Sequence, residues 1–308
     1  MTVIAIANQK GGVGKTATAI NLGSALALKG YRVLIIDLDP QANSTLSLGY
    51  SRSDILVSVY EVLLESVNPL SAVMSTVQEN LFILPANDNL PGAEILLADH
   101  PNRTHILALA LSVIRESFDF IFIDSPPSLG ILTLNALVAC DGVLITMQPE
   151  FLAMEGLSQL MRTIELVRSN LNPDLKIAGV LFTMHDMRTR LTREVEDEVR
   201  KYFESDSVVY KTFIPRNVRV AEAPSHGLPV TLYAKSSPAS LAYKELAEEF
   251  IHVTQTRIGK GLESPDTSER TSRGTLGGPS AADRQKLGHG DTPEPDPPEP
   301  KSAPLQIQ

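Results

Sequence analysis

Cysteine is almost absent. Cys140 is the only one in 308 residues, so the chain cannot build a disulfide framework or, by itself, a cysteine-held zinc or iron–sulfur site. It closes the apolar run Ala136 to Cys140 and reads as a small core residue. Long hydrophobic runs are absent too, and nothing approaches the roughly 18 consecutive apolar residues that a membrane-spanning helix needs. No secretory leader is visible. Met1 leads straight into Val3-Ile4-Ala5-Ile6-Ala7, with neither a basic stretch nor a cleavage site, and a cytoplasmic protein is expected. The six histidines are scattered without metal-ligand spacing, so none is assigned. A net charge of -9 argues against a wholesale nucleic-acid coat while leaving room for a local basic patch.

What is present divides by composition. Residues 259–308 hold eight prolines, seven glycines, five serines and no aromatic residue. Such a stretch cannot bury enough apolar surface to offset its ordering entropy, which predicts a disordered Pro/Gly/Ser-rich tail. Residues 1–258 instead alternate short apolar, β-branched runs with helical patterns. The runs are Val3–Ala7, Val33–Ile36, Leu81–Leu84, Phe120–Ile123, Gly142–Met147, Ile177–Phe182 and Val208–Phe213. Their apolarity is continuous rather than alternating, which predicts strands buried on both faces. Helical patterns fall at Thr16–Lys29, within Pro91–Ser117, at Gly156–Leu171, Arg193–Phe203 and Pro238–Arg257. In the last, Leu241, Leu246, Phe250 and Val253 lie near one face. The order predicts an α/β fold, a doubly wound, mostly parallel sheet with helices on both faces.

The segment Gln-Lys-Gly-Gly-Val-Gly-Lys-Thr (9–16) follows the first strand and opens the first helix. That is the context of a phosphate-binding loop. Gly11, Gly12 and Gly14 lack a Cβ, so successive N–H groups can turn inward on phosphate oxygens. The helix N-terminus adds its positive dipole. Lys15 offers a point charge for the β- and γ-phosphates and Thr16 a hydroxyl for Mg²⁺. Gly11, Gly12, Val13, Gly14, Lys15, Thr16 and Ala17 are therefore the expected cradle for ATP. Asp37 and Asp39 close the second strand, where two neighbouring carboxylates would be costly without a cation; capping of the following helix falls more naturally to Asn43 or Ser44. Asp124 ends the apolar run Phe118 to Ile123, the placement of a magnesium-associated carboxylate, and Ser125-Pro126-Pro127 then turns the chain out of helix.

The loop departs from the ordinary pattern: Gln stands at position 9 where Gly is usual, and an additional lysine, Lys10, follows. This is the deviant Walker A pattern. With Ile-Asp-Leu-Asp-Pro-Gln-Ala-Asn (36–43), Phe-Ile-Asp-Ser-Pro-Pro-Ser-Leu-Gly (122–130) and Ile-Pro-Arg-Asn-Val-Arg-Val-Ala-Glu-Ala-Pro (214–224), the sequence resembles the ParA/MinD ATPases, and among them the chromosomal Soj-like ParA proteins. The resemblance spans nearly all of residues 1–250. Ala17 departs from it, since the family usually has a second threonine there.

The resemblance implies an ATPase that dimerises around ATP and binds double-stranded DNA without sequence preference. A ParB-type protein would then stimulate hydrolysis, giving a nucleoid-associated partition switch. It implies that Lys10 acts across the dimer axis on the partner's nucleotide. Lys15 and Asp39 would serve hydrolysis, with Asp37 in support. Thr16, Asp39 and Asp124 would serve the metal. Pro215 and Asn217 would meet the adenine, and Arg188, Arg216 and Arg219 would meet DNA. MinD-like members carry a membrane-binding amphipathic helix, for which the Pro-rich tail offers no counterpart. Other readings are an ATPase positioning a different cargo, a MinD-like membrane-associated ATPase, or a biosynthetic P-loop ligase or amidotransferase partner with an organic-substrate pocket.

Overall fold

Burial on both faces calls for helices above and below, and strands Thr2–Ala7, Val33–Asp37, Phe120–Asp124 and Gly142–Met147 are buried at every residue. The computed structural model describes residues 1–258 apart from 187 and 204–208; the tail expected at 259–308 and Val208 of the last apolar run lie outside these. The strands are β1 (Thr2–Ala7), β2 (Val33–Asp37), β3 (Met74–Ser75), β4 (Leu81–Leu84), β5 (Phe120–Asp124), β6 (Gly142–Met147) and β7 (Lys176–Phe182). They form one sheet in the order β3-β4-β2-β5-β1-β6-β7. Every neighbouring pair is parallel except β3 with β4. Along β1, Val3, Ala5 and Ala7 enter one core while Ile4 and Ile6 enter the other. Helices Lys15–Leu28 and Pro238–Arg257 cover the second core; Ile131–Ala139 and Ala153–Asn170 are among those covering the first. The doubly wound, mostly parallel architecture is thus present.

Three local expectations change. The run ending at Phe213 does not form a strand among its described residues. Val209 makes a single bridge to Val180, and the Glu249 carboxylate takes the N–H groups of Lys211 at 2.8 Å and Thr212 at 2.9 Å. With those donors engaged, a regular ladder to β7 cannot continue. The pattern within Pro91–Ser117 splits into helices Leu90–Leu97 and Ile106–Ile114, with Pro101 in the turn between them. In the last helix Ala239, Tyr243, Leu246, Ala247 and Phe250 are buried, while Leu241 is 54% exposed. The buried set follows the 3.6-residue period from Ala239, and Leu241 falls off that stripe.

Among the described residues no helix is long and apolar enough to cross a membrane. Cys140 is buried at the end of helix Ile131–Ala139, and burial pushes its thiol up to about 12. The neutral form therefore persists throughout the working range. Alkylation of the native chain should stay negligible between about pH 7 and 9, without the rise an ordinary thiol shows, and should become complete in urea. Thiol titration with a chromogenic disulfide reads both states.

Candidate functional site

The chain leaves β1 at Ala7 and enters helix Lys15–Leu28 through the glycine-rich turn. Gly12 and Gly14 have φ values of 75° and 82°, the left-handed region that glycine adopts at no steric cost. A Cβ built on Gly11 or Gly12 would meet nothing within 4 Å, so the loop faces open space. Gly14 caps the helix without a side-chain hydrogen bond, leaving first-turn N–H groups for an anion. Two side chains missed by sequence reasoning pin the turn. Asn8 accepts from the Lys10 N–H at 2.9 Å and donates to the Thr146 carbonyl at 2.7 Å. The Thr183 hydroxyl donates to the Val13 carbonyl at 2.8 Å. Asn8 immediately precedes the loop 9–16, but Thr146 and Thr183 are remote from it in sequence.

Around the loop lies a cleft of about 540 Å³ lined by Gly11, Gly12, Gly14, Lys15, Thr16, Ala17, Asp39 and Gln41, among others. A second, of about 440 Å³, shares Gly14, Ala17, Met184 and Val220 with it and reaches Pro215, Arg216 and Asn217. Segments far apart in sequence, 7–17 and 214–217, therefore border one continuous region. Asn217 caps helix Val218–Glu222 by accepting from the Arg219 N–H at 2.9 Å, which orients its side-chain amide.

Strand register gathers the charges. Asp37 and Asp124 are lateral neighbours on β2 and β5, and Ile6 is the β1 partner of Asp124. Both carboxylates are fully buried, and Lys15 and Asp39 are only 6% and 7% exposed. Burial lifts the Asp37 carboxyl above its ordinary range, reinforced by the charge of Asp124. Burial also lifts Asp124, opposed by Thr16 and Ser44. Burial lowers Lys15, while the charges of Asp124 and Asp39 hold it up. Ser44 donates to Asp124 Oδ2 at 2.8 Å, but Oδ1 is buried without a hydrogen-bond partner. An orphaned carboxylate oxygen beside the Thr16 hydroxyl is what a magnesium-associated water would satisfy. Among the described residues no three His, Cys, Asp or Glu side chains form a metal cage. A sparse protein donor set suits Mg²⁺, which keeps waters and takes phosphate oxygens. The residues fit the group.

Asp37 has a different task from its neighbour. The strand ends at Asp37, so Asp39 lies in the loop beyond it, its carboxylate accepting from Gln41 N–H at 2.9 Å. Asp37 Oδ2 accepts from the Thr45 N–H and hydroxyl, both at 2.7 Å. It thereby caps helix Asn43–Ser47, whose own N-cap, Ala42, has no side chain for the purpose. Expecting Asn43 or Ser44 to do this was wrong, because those residues already lie within the helix. Asp37→Ala should cost about 2–4 kcal/mol by leaving buried Thr45 donors unpaired. Urea unfolding checks this; a loss under about 1 kcal/mol would reject the capping role.

Lys10 turns away from the cleft toward the rim, where its ammonium pairs with Glu150; both side chains are more than a third exposed. Arg188 sits against Asp186, at 2.8 and 2.7 Å, and Arg219 against Glu222 at 2.7 Å. Their hydrogen bonds and charges hold the Asp186 carboxyl well below its usual range and raise both guanidinium groups. A bridge between His185 and Pro215 brings the Arg188 and Arg216 segments side by side.

A family model described as an AAA domain matches residues 1–177. The sporulation initiation inhibitor protein Soj of Bacillus subtilis is 50% identical over 247 residues, covering 80% of this chain and 97% of its own. The chromosome partitioning protein ParA of Caulobacter vibrioides is 48% identical over 262 residues, 84% of this chain and 97% of that one. Among solved structures, cobyrinic acid a,c-diamide synthase from Mycobacterium smegmatis, with bound ADP and magnesium, gives a TM-score of 0.72 at 39% identity. It matches 86% of this chain and 99% of its own. Half-identity across almost the full length of such relatives assigns the family: this chain belongs to the Soj/ParA chromosome-partitioning ATPases.

Proposed function

We propose that the chain is an ATP-driven DNA-partitioning switch, whose ATP-bound homodimer holds double-stranded DNA without sequence preference and lets go after hydrolysis. One observation carries the nucleotide half. A buried lysine and an unpartnered carboxylate oxygen flank an open glycine turn at an uncapped helix N-terminus. Gly11, Gly12, Val13, Gly14, Lys15, Thr16 and Ala17 hold the phosphates through backbone N–H groups and the Lys15 ammonium. Pro215 and Asn217 border the cleft where the base would lie. Thr16, Asp39 and Asp124 would hold Mg²⁺, which would supply neutralisation of charge on the β- and γ-phosphates. Asp39 would orient the attacking water, and Asp37 supports it by fixing helix Asn43–Ser47.

Lys10 completes the site of a second copy. Its exposed pairing with Glu150 is an exchangeable contact, since surface ion pairs contribute little net stability. DNA phosphates replace Asp186 at Arg188 and Glu222 at Arg219, with Arg216 beside them. Each neutralised phosphate adds counterion release and hence salt sensitivity. A ParB-type protein would trigger turnover, and retention on DNA would make the protein nucleoid-associated in the cytoplasm. The match to a cobyrinic acid diamide synthase favours a second reading, an ATP-dependent ligase; stimulation of hydrolysis by DNA together with the ParB-type partner separates the two.

Co-sedimentation with DNA tests the switch. Lys15→Ala should lose ATP-dependent retention. Asp39→Ala should keep it while hydrolysis falls about a hundredfold or more. Retention by both variants without nucleotide would sink the model. Charge reversal at Arg188 and Arg216 together should reduce retention by at least about tenfold at low salt, and unchanged retention would place the DNA surface elsewhere. Lys10→Ala should remain monomeric with a non-hydrolysed ATP analogue in light scattering, where the wild-type chain becomes a dimer.

A further inference from the structure

The residues Thr183, Met184, His185 and Asp186 follow β7, and each touches a different part of the molecule. Thr183 donates to the phosphate loop at Val13. Met184 has a φ of 48°, uncommon for a residue with a Cβ, and lines both clefts. Asp186 holds Arg188. Between them, His185 Nε2 meets Glu196 Oε2 of helix Arg190–Tyr202 at 3.1 Å.

We propose that His185 is a positioning residue that couples occupancy of the nucleotide cleft to the placement of the arginine-bearing helix Arg190–Tyr202, with Glu196 as its partner. The coupling rests on the reading above, in which Arg188, just before this helix, meets DNA in the ATP state.

Packing alone does not account for a histidine here. The ring lies 4.3 Å from the Phe213 ring and 6.1 Å from that of Phe182, and its side chain is 2% exposed. A phenylalanine would fill such a site without polar atoms. The imidazole instead buries Nδ1 with no hydrogen-bond partner, a cost that an apolar ring would avoid. What the polar ring adds is the bond to Glu196. On the cleft side the His185 N–H donates to the Ile214 carbonyl at 3.0 Å, and His185 bridges Pro215. A ligand that shifts Met184 or Pro215 therefore carries the ring with it. On the helix side Glu196 also accepts from Arg200 Nε at 3.0 Å, and Arg200 donates to the Tyr210 carbonyl at 3.2 Å. Glu196 is thus held on two sides, and displacement of the ring must either move the helix or break the bond. The same helix starts just after Arg188 and carries Arg190 and Arg193 on its exposed surface.

The test uses the full chain with His185→Phe, which keeps the ring volume and loses the donor, and His185→Gln, which keeps a donor. Hydrogen exchange of the 190–202 amides is followed with and without an ATP analogue. In the wild-type chain the analogue should change exchange in this helix, and His185→Phe should abolish the change. His185→Phe should also weaken ATP-dependent DNA retention about tenfold while analogue affinity stays within about twofold, with His185→Gln restoring most of the loss. Helix exchange that ignores the analogue in the wild-type chain would overturn the coupling, whether or not either variant folds. Equal loss in both variants would also overturn it, reducing His185 to packing. If charge reversal at Arg188 and Arg216 leaves retention intact, the DNA face is misassigned, and the exchange measurement still decides the coupling.

Discussion

Three carboxylates and one ammonium meet in a nearly dry space at the carboxyl ends of the central strands, and keeping them there governs the surrounding structure. Burial disfavours the charges of Asp37, Asp124 and Lys15, so each must be held by a neighbour or by what the cleft takes in. Asp37 is answered from within the chain, by the two donors of Thr45. Asp124 is answered only in part, by Thr16 and Ser44, and its Oδ1 has no hydrogen-bond partner. That inequality separates a carboxylate satisfied from within the chain from one left with an unpartnered oxygen, although the two are side by side in register.

The glycine turn poses the complementary problem of a flexible backbone that must present fixed N–H groups. Glycine allows the left-handed residues but makes ordering expensive. Asn8 and Thr183 offset this by tying the turn to β6 and to the end of β7. The tie to Thr183 also brings the β7 exit loop against the phosphate loop. From there the hydrogen bonds run outward through His185 to the helix that bears several of the exposed arginines.

Much of this was legible beforehand where the relevant physics is local. Strands buried on both faces leave continuous apolar runs, and six such runs became strands. The turn at residues 9–16 announced itself because Gly12 and Gly14 take up the left-handed backbone at no steric cost. Legibility failed where one segment's hydrogen bonds are taken by another. Glu249 disrupts the pairing of residues 209–213 from more than thirty positions away, and Asp37 caps a helix that lacks its own cap. Leu241 matched an apolar stripe by type, yet the true stripe starts at Ala239 because the sheet, not the helix alone, sets which face is covered.

The chain of residues by itself determined the kind of fold, the phosphate loop and the family, since periodicity, glycine placement and ordered motifs are properties of short segments. Only the tertiary structure decided which buried carboxylate is satisfied and which is not. It also decided that Lys10 rests on Glu150, and that residues 183–186 join the nucleotide cleft to a surface helix. Those outcomes depend on strand register and on contacts between segments remote in sequence. Desolvation and hydrogen-bond geometry acquire values only once such segments are packed together.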